Sequence, residues 1–470
     1  MRRVTGAADV PAAYDCLAAL HSERAGLRDG RPVHLEELDA AHTVVVPNRP
    51  DVDTAHHPDV IAAVRRAADP GARLVGLCTG AFTLAEAGVL DGRPAAVHRR
   101  NPAAPPGGTD EQTGGSTSSP EVPMHAAYLP GHREVDLREV PDPTPGPGQV
   151  LVAMRASTIC GSDLRAIYRE HLGEGPEAYQ GVVGGHEPAG RVSAVGEGVG
   201  RIRVGDRVVV YHISGCGQCD DCRRGYQISC TAPTRAAYGW QRDGGHADLL
   251  LAEERDLLVL PDELTFLDGA CVACGFATAY EALCRLDVSG RDRLLVVGLG
   301  PVGLAAGLLG RAMGASLVVG TDPSPQRREL ALRLGAVDSA VAGGDDELTD
   351  LLGDGAETSV DCSGNGFGQL TALRHTRRWG RAALVGEGGQ LSVDVSEVLI
   401  HRQLTVHGSW VSSTVRMGEL LRNLARWGLH PEKVVTDVFP LERADEAYAV
   451  ADAAAGGKVG ITWPDEAPAS

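Results

Sequence analysis

Residues 293–303 read Arg-Leu-Leu-Val-Val-Gly-Leu-Gly-Pro-Val-Gly. The apolar run predicts a buried strand, and the glycine-rich turn after it opens a helix. Glycine at the first turn position permits a tight bend, at the second it lets a pyrophosphate approach the backbone, and at the third it lets the helix pack closely on the strand. The phosphates would lie at the helix N-terminus, where N–H groups lack partners. The sequence therefore predicts a dinucleotide-binding turn made of Gly298, Gly300, Pro301, Val302 and Gly303.

The next strand-like run, residues 317–322, ends in a carboxylate at about the spacing expected after such a turn. Asp322 can accept hydrogen bonds from an adenosine ribose diol but would repel a 2′-phosphate, so we expect NAD rather than NADP. Further strand-like runs recur at 359–362, 382–386 and 404–408. Helical stretches between the earlier ones predict a doubly wound parallel sheet, the Rossmann arrangement.

Two segments upstream carry metal-ligating side chains beside glycine. One reads Cys160-Gly-Ser-Asp163, and the other reads Gly184-Gly-His-Glu-Pro188. A thiolate combined with an imidazole suits a borderline ion, above all zinc. Glu187, directly after His186, is a candidate transient ligand, or a side chain that tunes the ion from outside its coordination shell. Short β-type runs around both segments predict an irregular all-β domain.

A cluster of four cysteines forms the most specific motif. The run Cys216-Gly-Gln-Cys219-Asp-Asp-Cys222 is followed by Cys230 after seven residues. Four thiolates on one short lobe satisfy tetrahedral zinc with no open position, which is typical of a structural site. Together with the first site, this predicts two Zn²⁺ ions per chain. The alternative is a pair of disulfides or reduced thiols.

Composition limits the functional classes. At 470 residues the chain is long enough for two to four domains, and its formal charge of −18 argues against nucleic-acid or anionic-membrane partners. No export signal follows Met1, and we expect no apolar run of about 20 residues, hence no membrane span. Clustered cysteines without an export signal favour metal binding in the cytoplasm.

The first 123 residues differ in character. Residues 34–100 have the pattern of a short α/β segment. Within it, the sequence Gly76-Leu-Cys-Thr-Gly-Ala81 resembles the amidotransferase-like (PfpI-like) domain of AraC-type regulators. We expect a partial fragment over 1–100 and a flexible linker over 101–123, rich in Pro, Gly, Ser and Thr. Cys78 follows a strand as a nucleophile would, but we favour a buried cysteine because no paired histidine or acid is evident. These residues are either a genuine fusion or sequence ahead of a start at Met124.

Residues 124–464 resemble the zinc-dependent medium-chain alcohol dehydrogenases, a group that includes sorbitol, threonine and simple alcohol dehydrogenases. The resemblance rests on the thiol–imidazole pair, the four-cysteine lobe and the glycine turn. It implies a GroES-like catalytic domain over 124–285 and 421–470, a Rossmann NAD-binding domain over 286–420, and a homo-oligomer, either dimer or tetramer. Arg327 resembles the ribose-side basic residue of that family.

The same resemblance implies a third ligand for the catalytic ion. The run Cys274-Gly-Phe-Ala-Thr-Ala-Tyr280 is similar to the family's third-ligand segment, so we choose Cys274, with Cys271 as the competitor. Sorbitol-type members carry a Glu-Pro pair here, which this chain lacks. Three protein ligands would leave the fourth position for water or the substrate oxygen.

Catalysis on an alcohol requires a path for the hydroxyl proton. Ser162, two residues after Cys160, is placed to accept it, and we expect Asp163 to orient ligands rather than to react. Family members often carry a histidine at the position of Arg165, and an arginine cannot act as that base. The relay beyond Ser162 is therefore open, through the cofactor ribose or water.

These features predict a zinc-dependent enzyme that transfers a hydride between NAD and a small-molecule primary or secondary alcohol, with a polyol or sugar alcohol as the first choice. Two alternatives stay open. One is NADP-dependent reduction of aldehydes or ketones on the same fold, and the other is a non-catalytic regulator that senses redox state.

Overall fold

The computed structural model divides the chain into two units, residues 1–117 and 118–470. It describes residues 25–28, 31–34, 43–46, 62, 65, 73–76, 123–454 and 456–464. Cys78 and residues 101–122 lie outside these ranges, so the interpretations of that cysteine and of the linker stay predictions.

Short strands make up most of the described part of the first unit. β1 and β2 pair antiparallel, whereas β3 and β4 pair parallel, as expected for an α/β piece. Helical backbone at residues 62 and 65 falls within the segment read as a helix. The strands are β1 Ala25–Arg28, β2 Arg31–His34, β3 Thr43–Val46 and β4 Arg73–Gly76.

A seven-stranded sheet dominates the front half of the second unit. Its order is β13-β9-β8-β7-β21-β20, with β12 also paired to β7. Two of these strands, β20 (Val435–Phe439) and β21 (Lys458–Thr462), come later in the chain than the other five. Alternate residues of β7 (Val150, Val152 and Met154) are fully buried, because successive side chains of a strand point to opposite faces. The strands of this half are β5 Met124–Gly131, β6 Glu134–Val140, β7 Gln149–Thr158, β8 Pro188–Val195, β9 Arg207–Val210, β10 Ile213–Ser214, β11 Ala236–Ala237, β12 Leu249–Glu253 and β13 Leu257–Val259.

A six-stranded, fully parallel sheet follows, which confirms the doubly wound prediction. Its order is β16-β15-β14-β17-β18-β19, so strands are added first on one side of β14 and then on the other. The last two strands, β20 Val435–Phe439 and β21 Lys458–Thr462, return to the first sheet, where β21 pairs with β7. The parallel strands are β14 Arg293–Val297, β15 Leu317–Thr321, β16 Ser339–Val341, β17 Ala356–Asp361, β18 Thr376–Leu384 and β19 Thr405–Gly408.

Helices flank both sheets of the second unit. In chain order they are α1 Gly161–Asp163, α2 Asp220–Arg223, α3 Phe266–Cys271, α4 Ala277–Arg285, α5 Pro301–Ala312, α6 Pro325–Arg333, α7 Asp345–Leu352, α8 Gly366–Arg374, α9 Thr414–Trp427 and α10 Ala444–Ala453. π-Helical segments lie at Leu164–Tyr168, Val272–Phe276 and Val395–Ile400. One buried cluster runs from Val209 of β9 through Leu283 of α4 to Leu294 of β14, so the two sheets share a core.

One helical run corrects an expectation. Residues Phe266–Arg285 have the length and apolar composition of a membrane-spanning helix, a run that the sequence analysis did not expect. In this structure 78% of its most apolar window is buried inside the protein. Phe276 and Leu283 are almost fully buried in the shared core, which explains the apolar composition.

Gly303→Ala is expected to destabilise the parallel-sheet half. A Cβ at this position would lie 1.8 Å from the carbonyl oxygen of Gly298, so α5 must move away from β14. Such overpacking costs about 1–3 kcal/mol or more. Thermal unfolding followed by circular dichroism should show a midpoint lowered by several degrees.

The matched control is Gly408→Ala, because no atom lies within 4 Å of a Cβ built at Gly408. Its midpoint should stay at the wild-type value. Equal midpoints for the two variants would contradict the packing role assigned to Gly303.

Candidate active site and metal centres

Four predicted side chains converge at the edge of the first sheet. The ligand atoms of Cys160, His186, Glu187 and Cys274 all lie within 4.8 Å of one another. Cys160 follows β7, and His186 and Glu187 directly precede β8, its antiparallel neighbour. Cys274 comes from the π-helical segment Val272–Phe276, a local geometry that recurs at functional sites. Antiparallel pairing and one irregular helical turn therefore bring together residues more than 100 positions apart.

Of the two candidate third thiols, Cys274 joins this cluster and Cys271 does not. Cys271 ends α3, is fully buried, and burial raises the pKa of its thiol. A hydrogen bond from Cys274 instead lowers the pKa of Cys160 well below its usual value. Cys160 and Cys274 are therefore hydrogen-bonded to each other beside the imidazole of His186. Two sulfur ligands and one nitrogen ligand form a donor set that fits zinc, because the charge of the ion compensates the thiolates.

Asp163 lies behind His186 and holds its ring. Its Oδ1 is 2.7 Å from Nδ1 of His186, and its Oδ2 accepts a hydrogen bond of 2.9 Å from the backbone N–H of Cys160. Burial disfavours protonation of His186, but the Asp163 carboxylate outweighs it and raises the imidazole pKa well above its usual value. Because the carboxylate is hydrogen-bonded to Nδ1 of His186, the other ring nitrogen, Nε2, is available to bind a metal. Asp163 is fully buried and does not line the cavity, which favours the orienting role.

Glu187 forms a buried ion pair that sequence reasoning missed. Its Oε2 lies 2.5 Å from Nζ of Lys458 and accepts a hydrogen bond of 2.5 Å from Oγ1 of Thr158. Both members of the pair are at most 3% exposed. Its Oε1 is buried and has no hydrogen-bond partner among the described residues. Burial raises the pKa of Glu187 to about 7, against the opposing attraction of Lys458.

A signal for Lys458 was present in the sequence. It is one of two lysines among the 44 lysine and arginine residues of the chain, and it directly precedes the apolar residues Val-Gly-Ile461. A charge at the start of a buried strand requires a partner. The sequence could not identify that partner, because Glu187 is far away along the chain.

The four-cysteine lobe has the geometry of a metal site. The sulfur atoms of Cys216, Cys219, Cys222 and Cys230 lie within 4.8 Å of one another, and all four cysteines are free of disulfides. Sγ of Cys216 is 3.9 Å from Sγ of Cys222, close to the roughly 3.8 Å edge of a tetrahedron with Zn–S bonds of about 2.3 Å. Backbone N–H groups of Gln218 and Cys219 lower the pKa of Cys216 to about 6. The arrangement fits a closed tetrahedral ion.

A cavity of about 610 Å³ opens beside the first cluster and reaches the parallel sheet. Cys160, His186 and Cys274 line it together with Ser162 and Arg165. Its opposite wall comes from the glycine turn and from loops that follow β17 and β18, through Val302, Ser363 and Glu387. The cavity therefore faces both the thiol–imidazole cluster and the predicted dinucleotide turn.

His212 also lines this cavity. Its Nδ1 is 2.8 Å from the carbonyl oxygen of Ala273, and its ring centroid lies 5.3 Å from that of His186. Burial lowers the pKa of His212 to about 4, so the ring is neutral at pH 7. A neutral ring that donates from Nδ1 presents an acceptor at Nε2.

The dinucleotide turn has the conformation that its glycines predict. Gly298 has a φ of +86°, in the left-handed region, and its N–H donates to the carbonyl oxygen of Thr321. At Gly300, the N-cap of α5, the nearest atom to a Cβ built on the backbone is 4.0 Å away, which leaves the helix N-terminus accessible. Asp322 accepts hydrogen bonds of 2.9 Å from the backbone N–H groups of Leu299 and Ser324. Arg327 lies 3.6 Å from the Asp322 carboxylate.

Two family models match the second unit. Residues 146–262 match the alcohol dehydrogenase GroES-like domain, and residues 301–426 match the zinc-binding dehydrogenase model. The chain is 48% identical over 350 residues to YphC of Escherichia coli K12, described as an uncharacterized zinc-type alcohol dehydrogenase-like protein, with 73% of this chain and 99% of that protein covered.

Two further comparisons concern polyol and diol enzymes. The chain is 30% identical to sorbitol dehydrogenase of Bombyx mori, over 71% of this chain and 97% of that enzyme. The crystal structure of 2R,3R-butanediol dehydrogenase from Bacillus subtilis superposes with a TM-score of 0.64 at 25% identity, covering 73% and 100% of the two chains. Neither family model nor any of these relatives supports the PfpI-like interpretation of the first residues.

Lys458→Met is expected to destabilise the protein strongly. Removing the cation leaves Glu187 buried without its partner, which costs about 3–5 kcal/mol in comparable buried pairs. Urea unfolding followed by circular dichroism measures the loss. Lys433→Met is the control, because Lys433 is the other lysine and is exposed. Equal stability of the two variants would show that the ion pair contributes nothing.

Cys222→Ser is expected to release the metal of the four-cysteine lobe. Three thiolates and a hydroxyl do not complete the tetrahedral shell, so metal content should fall by about one equivalent and trypsin should cut between residues 216 and 230. Elemental analysis of purified protein is the measurement. Cys284→Ser is the control, since Cys284 belongs to neither cluster. Unchanged metal content in Cys222→Ser would exclude the lobe as a metal site.

Proposed function

Because the chain belongs to the zinc-type medium-chain alcohol dehydrogenase family, we propose that it is an NAD-dependent enzyme that transfers a hydride between a primary or secondary alcohol and the nicotinamide. The observation that carries the proposal is the position of the thiol–imidazole cluster. Cys160, His186 and Cys274 line the same cavity as Val302 of the glycine turn. A substrate held by the cluster therefore shares one cavity with a dinucleotide bound at α5.

In this proposal Cys160, His186 and Cys274 hold a catalytic zinc, and the four cysteines of the lobe hold a second, structural zinc. Glu187 is the fourth member of the first cluster, with one carboxylate oxygen bound to Lys458 and Thr158 and the other without a partner among the described residues. That second oxygen is the one available for transient coordination. Asp163 is a positioning residue, since it contacts His186 and the backbone of Cys160.

When bound, zinc would act as a Lewis acid toward the substrate oxygen, and NAD would take up the hydride. Ser162 lines the cavity beside Cys160, and its hydroxyl can both accept and donate a proton. Arg165 cannot accept one, and its guanidinium is held by the backbone carbonyl and the carboxylate of Glu387. We assign Ser162 the first proton transfer and Arg165 the role of holding the Glu387 loop over the cavity.

The preference for NAD rests on the Asp322 carboxylate. The Asp322 carboxylate is fixed by two backbone N–H groups at the end of β15, beside the glycine turn. A negative charge fixed there suits a ribose diol and opposes a 2′-phosphate. The guanidinium of Arg327 lies within 4 Å of that carboxylate, so it partly compensates the negative charge of Asp322.

The domain boundaries belong to the proposal as well. Residues 124–285 with 421–470 form the catalytic domain, and 286–420 form the NAD-binding domain. Membership of β20 and β21 in the first sheet supports this division, because both strands follow residue 421 and neither joins the parallel sheet. The front residues 1–100 remain a predicted fragment of another domain.

Turnover and metal content test the proposal together. The purified chain should contain two zinc ions, and a panel of alcohols and polyols should reduce NAD faster than NADP, followed by absorbance of the reduced cofactor. Cys160→Ala and His186→Ala should each lower turnover by at least about 100-fold, because each removes a metal ligand.

NAD binding separates a catalytic loss from unfolding. Both variants should bind NADH with the wild-type dissociation constant, since neither residue belongs to the glycine turn. Substantial turnover in either variant would assign the chemistry to another site, and a metal content of one or none would reject the two-zinc assignment.

A further inference from the structure

One segment that lines the cavity has a backbone conformation that its sequence does not favour. Trp410 and Val411 lie between β19 and α9, and both line the cavity. Val411 is buried and has a φ of +60°, in the left-handed region. For a β-branched residue this conformation is a steric outlier, and it persists only where surrounding contacts fix it. Those contacts therefore identify what shapes this side of the cavity.

Residues 409–414, here called the wall segment, are fixed at both ends from within the parallel-sheet half. The backbone N–H of Ser409 donates to the carbonyl oxygen of Leu384 at 3.0 Å. Oγ of Ser413 caps α9 by accepting a hydrogen bond of 3.1 Å from the backbone N–H of Arg416. These two contacts position the ends of the segment, and they do not act on Val411 in its middle.

Tyr211, from the front half of the second unit, fixes the middle of the wall segment. It directly follows β9, and its hydroxyl donates a hydrogen bond of 2.6 Å to the carbonyl oxygen of Ser412, the residue after Val411. Tyr211 and Ser412 are at most 1% exposed, so solvent cannot replace this bond. Without the phenol, a buried carbonyl would lose its donor, which is costly. The strained backbone thus depends on a residue of the other sheet.

The four-cysteine lobe reaches the same segment by two routes. The carbonyl oxygen of Gly225 accepts a hydrogen bond of 3.0 Å from the backbone N–H of Thr414. The backbone N–H of Ile228 faces the hydroxyl of Tyr211, where burial raises the phenol pKa and this N–H opposes the rise. Gly225 and Ile228 both lie between the lobe cysteines 222 and 230. Their positions therefore depend on how the lobe is closed.

The contact at Gly225 is too close for a side chain. Gly225 has a φ of +87°, and a Cβ built there would lie 2.8 Å from Oγ1 of Thr414 and 3.2 Å from the backbone nitrogen of Val415. The adjacent Tyr226 donates a hydrogen bond of 2.9 Å to Oε1 of Glu281, which is buried on α4. The lobe is therefore docked against the start of α9 and against α4.

We propose that the four-cysteine lobe positions the wall segment through Tyr211 and Gly225, so that the metal held by the lobe determines the shape of the cavity. Tyr211 is a positioning residue in this inference, since it is fully buried and does not line the cavity. The identity of the ligand that senses this shape, NADH, rests on the proposed function. The coupling between the lobe and the wall segment does not.

Tyr211→Phe tests the coupling with two measurements on the zinc-loaded full chain. The wall segment should relax, because left-handed backbone is unfavourable for valine, and calorimetry should show NADH binding weakened about 5- to 30-fold. Trp410 adjoins Val411 and is 56% exposed, so its fluorescence reports the same movement without a ligand. The Trp410 signal is obtained by subtracting the spectrum of the matching Trp410→Phe protein, and it should change in Tyr211→Phe.

Two substitutions at Val411 separate positioning from general stabilisation. Glycine adopts both signs of φ about equally, so in a Val411→Gly background Tyr211→Phe should weaken NADH binding only about twofold. Alanine keeps the Cβ that disfavours left-handed backbone, so in a Val411→Ala background the loss should be as large as with valine. Equal losses in all three backgrounds would show that Tyr211 only stabilises the fold, and the inference would be wrong.

Cys222→Ser tests the lobe itself. Loss of the lobe metal should weaken NADH binding and change the Trp410 signal as Tyr211→Phe does. Combining the two substitutions should add little, because both release the same segment. Tyr179→Phe is the control, since Tyr179 is also a buried phenol that donates to a backbone carbonyl, that of Val182, and does not line the cavity. It should keep the wild-type affinity and the wild-type Trp410 signal.

The two measurements also distinguish this inference from the proposed function. A wild-type chain that does not bind NADH would reject the proposed function, and the Trp410 signal would then decide the inference by itself. A Trp410 signal unchanged in Tyr211→Phe, or unchanged in Cys222→Ser, would overturn the inference even if NADH binds and alcohols are oxidised. If Cys222→Ser folds poorly, Gly225→Ala replaces it, because the added Cβ displaces the lobe from α9 without removing a cysteine.

Discussion

The charge balance at one cluster constrains the rest of this structure. Two thiols and two carboxylates, from Cys160, Cys274, Asp163 and Glu187, surround the imidazole of His186, which is almost fully buried. Buried acidic groups are costly unless cations or hydrogen bonds compensate them. Lys458 compensates Glu187, and His186 compensates Asp163. His186 and Lys458 also lower the pKa of Cys160, but each of these cations is already paired with a carboxylate. A divalent metal ion is the further compensation that the geometry of the two thiols suits.

The fold places this cluster where it can act on a substrate. The antiparallel pairing of β7 and β8 fixes Cys160 and His186, and the shared core holds the parallel sheet against the first sheet. The cavity lies at the ends of the parallel strands, near the point where the strand order reverses on either side of β14, which is the usual ligand position in such sheets. Arg165 spans the cavity from one side to the Glu387 loop on the other.

Features encoded locally could be predicted from the sequence. Three features depend on residues that lie only a few positions apart: the glycine turn, the individual parallel strands and the four-cysteine lobe. The spacing of those residues was enough to predict them. Lys458 and the Tyr211–Ser412 hydrogen bond depend on contacts between distant segments, and spacing contains no information about these. The start of β18 was also missed, because Arg377 and Arg378 interrupt the apolar pattern and only pairing with β17 extends the strand to Thr376. Cys274 was identified through resemblance, and no local pattern predicted the π-helical turn that presents it.

The return of β21 to the first sheet has a consequence for biosynthesis. Cys160, His186 and Cys274 emerge from the ribosome long before Lys458, and the whole parallel sheet is made in between. Until β21 pairs with β7, Glu187 lacks its cation, and the edge of β7 that β21 covers is open. The first sheet of the nascent chain therefore cannot be completed before the parallel sheet has been translated. Such an order delays folding of the long-range sheet, and the Glu187–Lys458 ion pair can form only in a chain whose parallel sheet has already been translated.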